Sequence, residues 1–371
     1  MRNALTMTKT SFACIGIFSC LLSAQSHESS PAAQSDPTQL RVNVVLVQLN
    51  VAVTDEKGRY VTGLRPQDFS ITEDKLPEKI STFEESSVSG KTEMETTPRN
   101  QGRRSIGPTG PSESISPKVP ADSGDVTISH VTEDNVFVLF DTSNYMYRGF
   151  VFAQDAIADF IRSMDDSSKV AFYSYSRNLS RATTLTSDRS LIMSGLRSTV
   201  AGDDAALYNS LLLTVKDAAT LRGRKAIVVF SNGPDNASSV PPEDVAEMAQ
   251  STGTIIYIIS TRQAQEDPVS AAAFERVSKV SGGKAYFANN WRQEKEAFAS
   301  IQDDLVHLYT LSYYPRYNPN RGWRSIKVTL SGEYQRKYHI RTRDGYRLLP
   351  APTRPLDDYS GAGSGTVSSP K

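Results

Sequence analysis

Along residues 47–54 the side chains alternate. Val47, Leu49, Val51 and Val53 point one way, and Gln48, Asn50 and Thr54 the other. A period of two is the mark of a half-buried strand. Asp55-Glu56-Lys57-Gly58 then reads as a turn, where Gly58 is free to take positive φ. Tyr60 to Leu64, Phe69 to Thr72 and Lys79 to Phe83 are further short strands between turn residues. Residues 39–85 are therefore expected to form a small all-β unit.

From Asn135 the pattern changes to strands alternating with helices, which predicts a mostly parallel sheet covered by helices. Val136 to Phe140 is an unbroken apolar run, as a central strand buried on both faces requires. Phe150, Ala153, Ile157, Phe160, Ile161 and Met164 recur at helical spacing. Lys169 to Ser176 and Arg181 to Thr186 read as two strands joined by a short turn, and Asp188 as the cap of a helix to Leu196. A longer helix is expected from Ala206 to Leu221, followed by strand Ala226 to Phe230 and a helix opened by Pro241-Pro242 and running to Thr252. Strand Thr254 to Ser260, helix Pro268 to Val280, strand Lys284 to Ala288 and helix Glu294 to Leu308 complete the series. Gly282-Gly283 stands where a helix should stop.

Beyond residue 308 the period of two returns in Tyr309 to Tyr314, Ile326 to Leu330 and Tyr338 to Thr342. Each β segment has few strands to stand alone. We therefore expect the strands of 39–85 and 309–348 to pair into one small sandwich-like unit, with the α/β domain of residues 130–308 inserted between them. Residues 25–38, 86–129 and 349–371 are rich in Ser, Pro, Gly or Thr and show no apolar period, so they read as a lead-in, a linker and a tail without fixed structure. The Arg103-Arg104 pair in the linker reads as a solvated cluster.

The N-terminus bears on location. Arg2 and Lys9 precede the apolar run Ser11 to Leu22, and Leu22-Ser23-Ala24 offers a cleavage site before Gln25. This is the layout of a signal peptide over residues 1–24, and the run is short for a membrane span. The expected location is the periplasm or the exterior, with no transmembrane span in the mature chain. Cys14 and Cys20 are the two cysteines and both lie in this segment, which leaves no thiol for a disulfide or a Cys-based metal site. Phe18 fits poorly in a lipoprotein box ending at Cys20. Cleavage would leave 39 cations against 41 acids, so no strong field favours nucleic acid.

Chemistry is expected at the carboxyl ends of the parallel strands, where the strand order reverses. The first strand of the α/β domain ends in Asp141-Thr142-Ser143-Asn144-Tyr145, a carboxylate followed by hydroxyls, as in sites for hard cations. Here the sequence resembles the von Willebrand factor type A (VWA) family, with its Rossmann-like sheet and its metal-ion-dependent adhesion site, Asp-x-Ser-x-Ser, completed by a Thr and an Asp from two further loops. Ala206-Leu207-Tyr208-Asn209 matches the helix start after the second loop, and Phe230-Ser231-Asn232-Gly233-Pro234-Asp235-Asn236 matches the third. Val61-Thr62-Gly63-Leu64, Tyr309 to Pro315 and Arg343-Asp344-Gly345-Tyr346 are similar to the VWA-related proteins of Acidobacteria.

The resemblance implies a metal site that this chain has largely lost. Asp141 and Ser143 keep the family's residues, but Tyr145, Ala205 and Asn232 stand where Ser, Thr and Asp are expected. A Mg²⁺ ion at Asp141, Ser143 and Asn232 would need Asp203, Asp204 or Asp235 as a substitute ligand, and the expectation is a site without a cofactor. His27, His130, His307 and His339 are scattered, and no nucleophile elbow, P-loop or dinucleotide fingerprint is present, so no enzyme is predicted. Tyr309, Tyr313, Tyr314, Tyr317 and Trp323 are read as sheet packing. Tyr145, Tyr147 and Phe150, just past the strand end, are placed to anchor a partner. The predicted function is a protein-binding module of the bacterial envelope, using Tyr145, Tyr147, Asp203, Asp204 and Asp235 on its loop face. The alternative is a scaffold protein of the envelope with a vestigial site.

Overall fold

A computed structural model describes residues 46–86, 127–128, 134–147, 149–261, 266–332 and 334–348. The signal peptide, the lead-in, most of the linker and the tail read from the sequence lie outside the described residues, as do Cys14, Cys20, His27 and His130.

The N-terminal flank carries β1 (Val47–Asp55), β2 (Phe69–Glu73), β3 (Leu76–Glu78) and β4 (Ile80–Glu85), and β5 (Thr127–Ile128) follows. The α/β domain then runs β6 (Asp134–Asp141), α1 (Phe150–Ser163), β7 (Lys169–Tyr175), β8 (Leu179–Thr186), α2 (Arg189–Arg197), α3 (Leu207–Ala219), β9 (Arg224–Ser231) and α4 (Pro242–Thr252). It continues with β10 (Thr254–Thr261), α5 (Pro268–Ser281), β11 (Ala285–Ala288) and α6 (Trp291–Val306). The C-terminal flank holds β12 (Tyr309–Tyr313), β13 (Trp323–Leu330), the single turn α7 (Tyr334–Lys337), β14 (Tyr338–Arg341) and β15 (Gly345–Arg347).

Strands β11-β10-β9-β6-β7-β8 form a six-stranded sheet, parallel except for the antiparallel edge strand β8. The unbroken apolar run of β6 lies mid-sheet, and both of its faces are buried because successive side chains alternate between two cores. Val136, Val138 and Phe140 pack with Ile157 and Phe160 of α1, Ile192 of α2 and Ile301 of α6. Phe137 and Leu139 pack on the other face with Leu211 and Val215 of α3, Val245 of α4 and Phe274 of α5. The helix stops and starts follow local chemistry. Asp188 accepts the N–H groups of Ser190 and Leu191 at the start of α2, and Asn290 does the same for Arg292 and Gln293 at α6. Gly282 ends α5 at φ 89°, a left-handed conformation that costs glycine nothing.

The flanks build two further sheets, ordered β14-β1-β12-β4-β5 and β15-β13-β2-β3. Their pairing is antiparallel except for the short β4–β5 contact. As the strand pattern predicts, the two flanks pair with each other: β12 lies between β1 and β4, and β13 lies against β2. Leu49, Val51, Phe69, Ile71, Leu311 and Val328 share one core. At its centre Glu73 meets Arg324 at 3.0 Å and accepts the hydroxyls of Tyr313 and Tyr346.

Some expectations are corrected. β1 is buried on both sides, because the α/β domain covers the face with Asn50 and Ala52, and Ala52 joins that domain's core. Tyr60 to Leu64 is no strand: only Tyr60 bridges to Thr54, and the Tyr60 hydroxyl turns to the α/β domain instead. Thr127-Ile128, read as linker, pairs with β4. β3, β15 and α7 have too few residues to set a period. Of the five aromatics read as sheet packing, Tyr309 and Tyr313 are buried, whereas Tyr314 and Tyr317 lie exposed beyond β12.

Candidate functional site

The chain leaves β6 for β7 on one side and reaches β9 on the other, so the sheet's switch point lies between the carboxyl ends of β6 and β9. Three loops meet there, following β6, preceding α3 and following β9. Backbone bonds hold them together: Gly202 donates to the Thr142 carbonyl at 2.7 Å and Asn144 to the Asp203 carbonyl at 2.8 Å. Thr142 donates to the Tyr175 carbonyl through both its N–H and its hydroxyl. The side chain of Asn236 accepts the Ala205 N–H at 2.8 Å, and the amide of Asn232 donates to the Tyr145 carbonyl. Asp141, Ala205 and Asn232 are thus brought to one crest.

Asp141 is wholly buried. Its Oδ1 accepts the Ser143 N–H at 2.9 Å and its Oδ2 accepts the Ser231 hydroxyl at 2.8 Å, while the Tyr175 hydroxyl donates to Ser231 Oγ at 3.0 Å. Burial pushes the Asp141 carboxyl up, against the hydrogen bonds from Ser143 and Ser231 that favour its charge. Burial and the nearby Asp141 charge together raise the Tyr175 phenol well above its ordinary value. Ser231 and Tyr175 were not singled out in the sequence. Both end strands beside β6, and only the strand order shows that they converge on Asp141.

The other candidates divide by role. The Tyr145 ring packs on Gly233, where a Cβ would come within 2.9 Å of Tyr145 Cγ. Tyr147 stands free, 77% exposed, and the start of α1 adds Val151 and Phe152 at 64% and 61%. Asp204 pairs with Arg177 at 2.7 Å. Asp203 is exposed, and it is its carbonyl that serves the crest. Asp235 is engaged through both oxygens, by the N–H of Tyr208 and by those of Ala237 and Ser238.

A hard cation such as Mg²⁺ needs near-octahedral oxygen ligation, largely from carboxylates and water. This crest offers one carboxylate, already hydrogen-bonded, together with the Ser143 hydroxyl. At the remaining positions it presents an aromatic ring, a methyl group and an amide whose nitrogen is directed to the Tyr145 carbonyl. Among the described residues no three His, Cys, Asp or Glu side chains gather at metal-binding spacing.

Residues 135–303 match the von Willebrand factor type A domain, and domains of this type generally serve adhesion and protein interaction. Comparison with curated proteins finds no match. Among solved structures, the conserved hypothetical protein BatB from Bacteroides thetaiotaomicron is 15% identical, with 46% of this chain and 97% of that one covered and a TM-score of 0.40. A single-site mutant of the PilB minor pilin from Streptococcus sanguinis is 11% identical over 48% of this chain and 62% of that one, with a TM-score of 0.41. Proximal thread matrix protein 1 from the mussel byssus, with a zinc-occupied MIDAS motif, is 14% identical over 47% and 48%, also with a TM-score of 0.41. Between its two β flanks, this chain carries a von Willebrand factor type A domain at residues 135–303.

Proposed function

We propose that the chain is an exported protein-binding module of the bacterial envelope that holds its partner on the crest without a metal ion. One observation carries this reading: Tyr147, Val151 and Phe152 are exposed within six residues of one another, beside loops held by backbone hydrogen bonds. Large rings on a rigid base are the usual anchors of protein interfaces, because burying them gains area at a low cost in ordering. The engaged Asp141 supports the metal-free part. Export rests on the N-terminal pattern of charge and hydrophobicity, and among the described residues no helix is long and apolar enough to cross a membrane.

The test is capture from an envelope extract by the purified chain and by the double variant Tyr147→Ser, Phe152→Ser, each with and without chelator. A partner held by the parent chain in both buffers and lost by the variant is the expected result. Equal capture by the variant would remove the crest from the interface. Binding abolished by chelator and restored by Mg²⁺ would overturn the metal-free reading.

A second reading, a scaffold that spaces envelope components, is favoured by the buried junction of Asp304 with Arg341, Tyr60 and Tyr257, which ties the α/β domain to both flanks. Unchanged assembly of the envelope by the same double variant would favour it.

A further inference from the structure

The crest occupies one end of the six-stranded sheet. At the other end, where β9 and β10 begin, a cavity of about 450 Å³ opens between the α/β domain and the β unit. Its walls come from β1, from the approach to β9, from the end of α4 and from the C-terminal flank, so a molecule inside would touch both flanks and the domain between them. Such a volume is in the range of small-ligand sites.

Its charge is one-sided. Arg222, Lys225 and Arg343 line it, and no acidic side chain does among the described residues. Lys225 is 8% exposed, and among the described residues its ammonium reaches only the Gly223 carbonyl, at 3.5 Å. Arg343 is 6% exposed. Its Nη1 and Nη2 donate to the carbonyls of Gln250 and Gln48, while its buried Nε has no hydrogen-bond partner among the described residues. The acid that acts on Arg343 from nearby, Glu73, is already paired with Arg324. The residue preceding Lys225 makes the contrast: Arg224 is also buried, and its guanidinium is matched by Asp134. Buried cations are ordinarily paired, since removal from water is costly without a counter-charge. Burial and the neighbouring Arg343 charge push the Lys225 ammonium down to about 8, and burial draws Arg343 down to about 10.

We propose that this cavity binds a small organic molecule by a terminal oxyanion, carboxylate or phosphate, which Lys225 Nζ holds, with the Arg343 charge beside it, while Val47, Leu221 and the Tyr346 ring cover its apolar body. The oxyanion supplies the counter-charge that the chain omits, and charge-assisted hydrogen bonds in a partly dry cavity are the strong ones. Arg222, exposed beside the cavity, adds attraction at its mouth.

Calorimetric titration of the purified full chain tests this, with sodium phosphate, sodium butanoate and the neutral butanamide at constant ionic strength in chloride. Saturable binding of phosphate or butanoate, and none of butanamide, is expected, and the preferred anion identifies which oxyanion the ligand carries. Lys225→Met should weaken that binding about tenfold or more. The same variant, free of anion, should melt no lower than the parent, because it removes an unpaired buried charge. Lys225→Gln, also neutral but polar, guards against a packing defect in the first variant and should show the same loss. The absence of saturable binding by either anion, equal binding of butanamide, or unchanged anion affinity in both variants would overturn the proposal.

Discussion

Asp235 Oδ2 accepts the backbone N–H of Tyr208 at 2.8 Å, so the loop after β9 caps the helix that follows the preceding crest loop. The residue at the N-cap of α3 is Ala206, which has no side-chain oxygen, and Ser238 Oγ takes the next free N–H, that of Asn209, at 2.9 Å. A helix that cannot cap itself is capped from another loop, and this locks two sides of the crest together. Asp235→Ala should lower stability by about 1–2 kcal/mol, and Asp235→Asn, which keeps an acceptor, by less. Urea denaturation of the three proteins checks the order. Equal stabilities would mean that the cap contributes nothing.

Gly233 sets the position of Tyr145. A Cβ there would lie 2.9 Å from Tyr145 Cγ and 3.0 Å from its Cβ, closer than real side chains approach. Gly233→Val should therefore cost about 1–3 kcal/mol by displacing the ring. Adding Tyr145→Ala should recover much of that loss, a non-additivity that a double-mutant cycle reads directly. Additive losses would place the strain elsewhere.

Asp304 ties the domain to its flanks. It is wholly buried and accepts the hydroxyls of Tyr60 and Tyr257, each at 2.5 Å, as well as the Arg341 guanidinium. Burial alone would raise its pKa, but the charges of Arg341 and Lys284 and the two phenols outweigh it and leave the carboxyl below its ordinary value. A carboxylate lowered in the folded state stabilises above its unfolded pKa and loses that contribution as pH falls through the folded one. Asp304→Asn leaves the Arg341 charge without its partner and should cost about 3–5 kcal/mol at neutral pH. The gap to the parent should narrow in acid, below the ordinary carboxylate range. Denaturation at neutral and acid pH checks both points, and a gap independent of pH would contradict the assignment.

Asp188 offers a control remote from the crest. It caps α2 by accepting from Ser190 and Leu191, so Asp188→Ala should cost about 1 kcal/mol and leave partner capture intact. Parallel melting and capture measurements check both halves of this expectation.

The sequence showed the helices and the parallel strands to within about three residues, because burial imposes a period and caps carry their own chemistry. The apolar run 136–140, Asp188 at its helix start and Gly282 at its helix end were legible for that reason. The pairing of the flanks was also legible, since strands of that number cannot stand alone. The site was legible only in part. Asp141 and Ser143 stood in a motif, and Tyr147 followed it, but Ser231 and Tyr175 carry no local signal. Val151 and Phe152 stand off the apolar stripe of Phe150, Ala153, Ile157 and Phe160, and only the fold shows them facing solvent beside the crest.

By itself the amino-acid sequence determined which segments are strands and helices. That is a property of residues and their near neighbours. Only the tertiary structure decided what the remaining polar groups do. Asp235 became a helix cap, Asp304 a junction, and Lys225 and Arg343 a pair of buried cations lining one cavity. The physical reason is the range of the forces: periodicity and capping act within a few residues, whereas charge, desolvation and hydrogen bonding act between whatever side chains the packed core brings together.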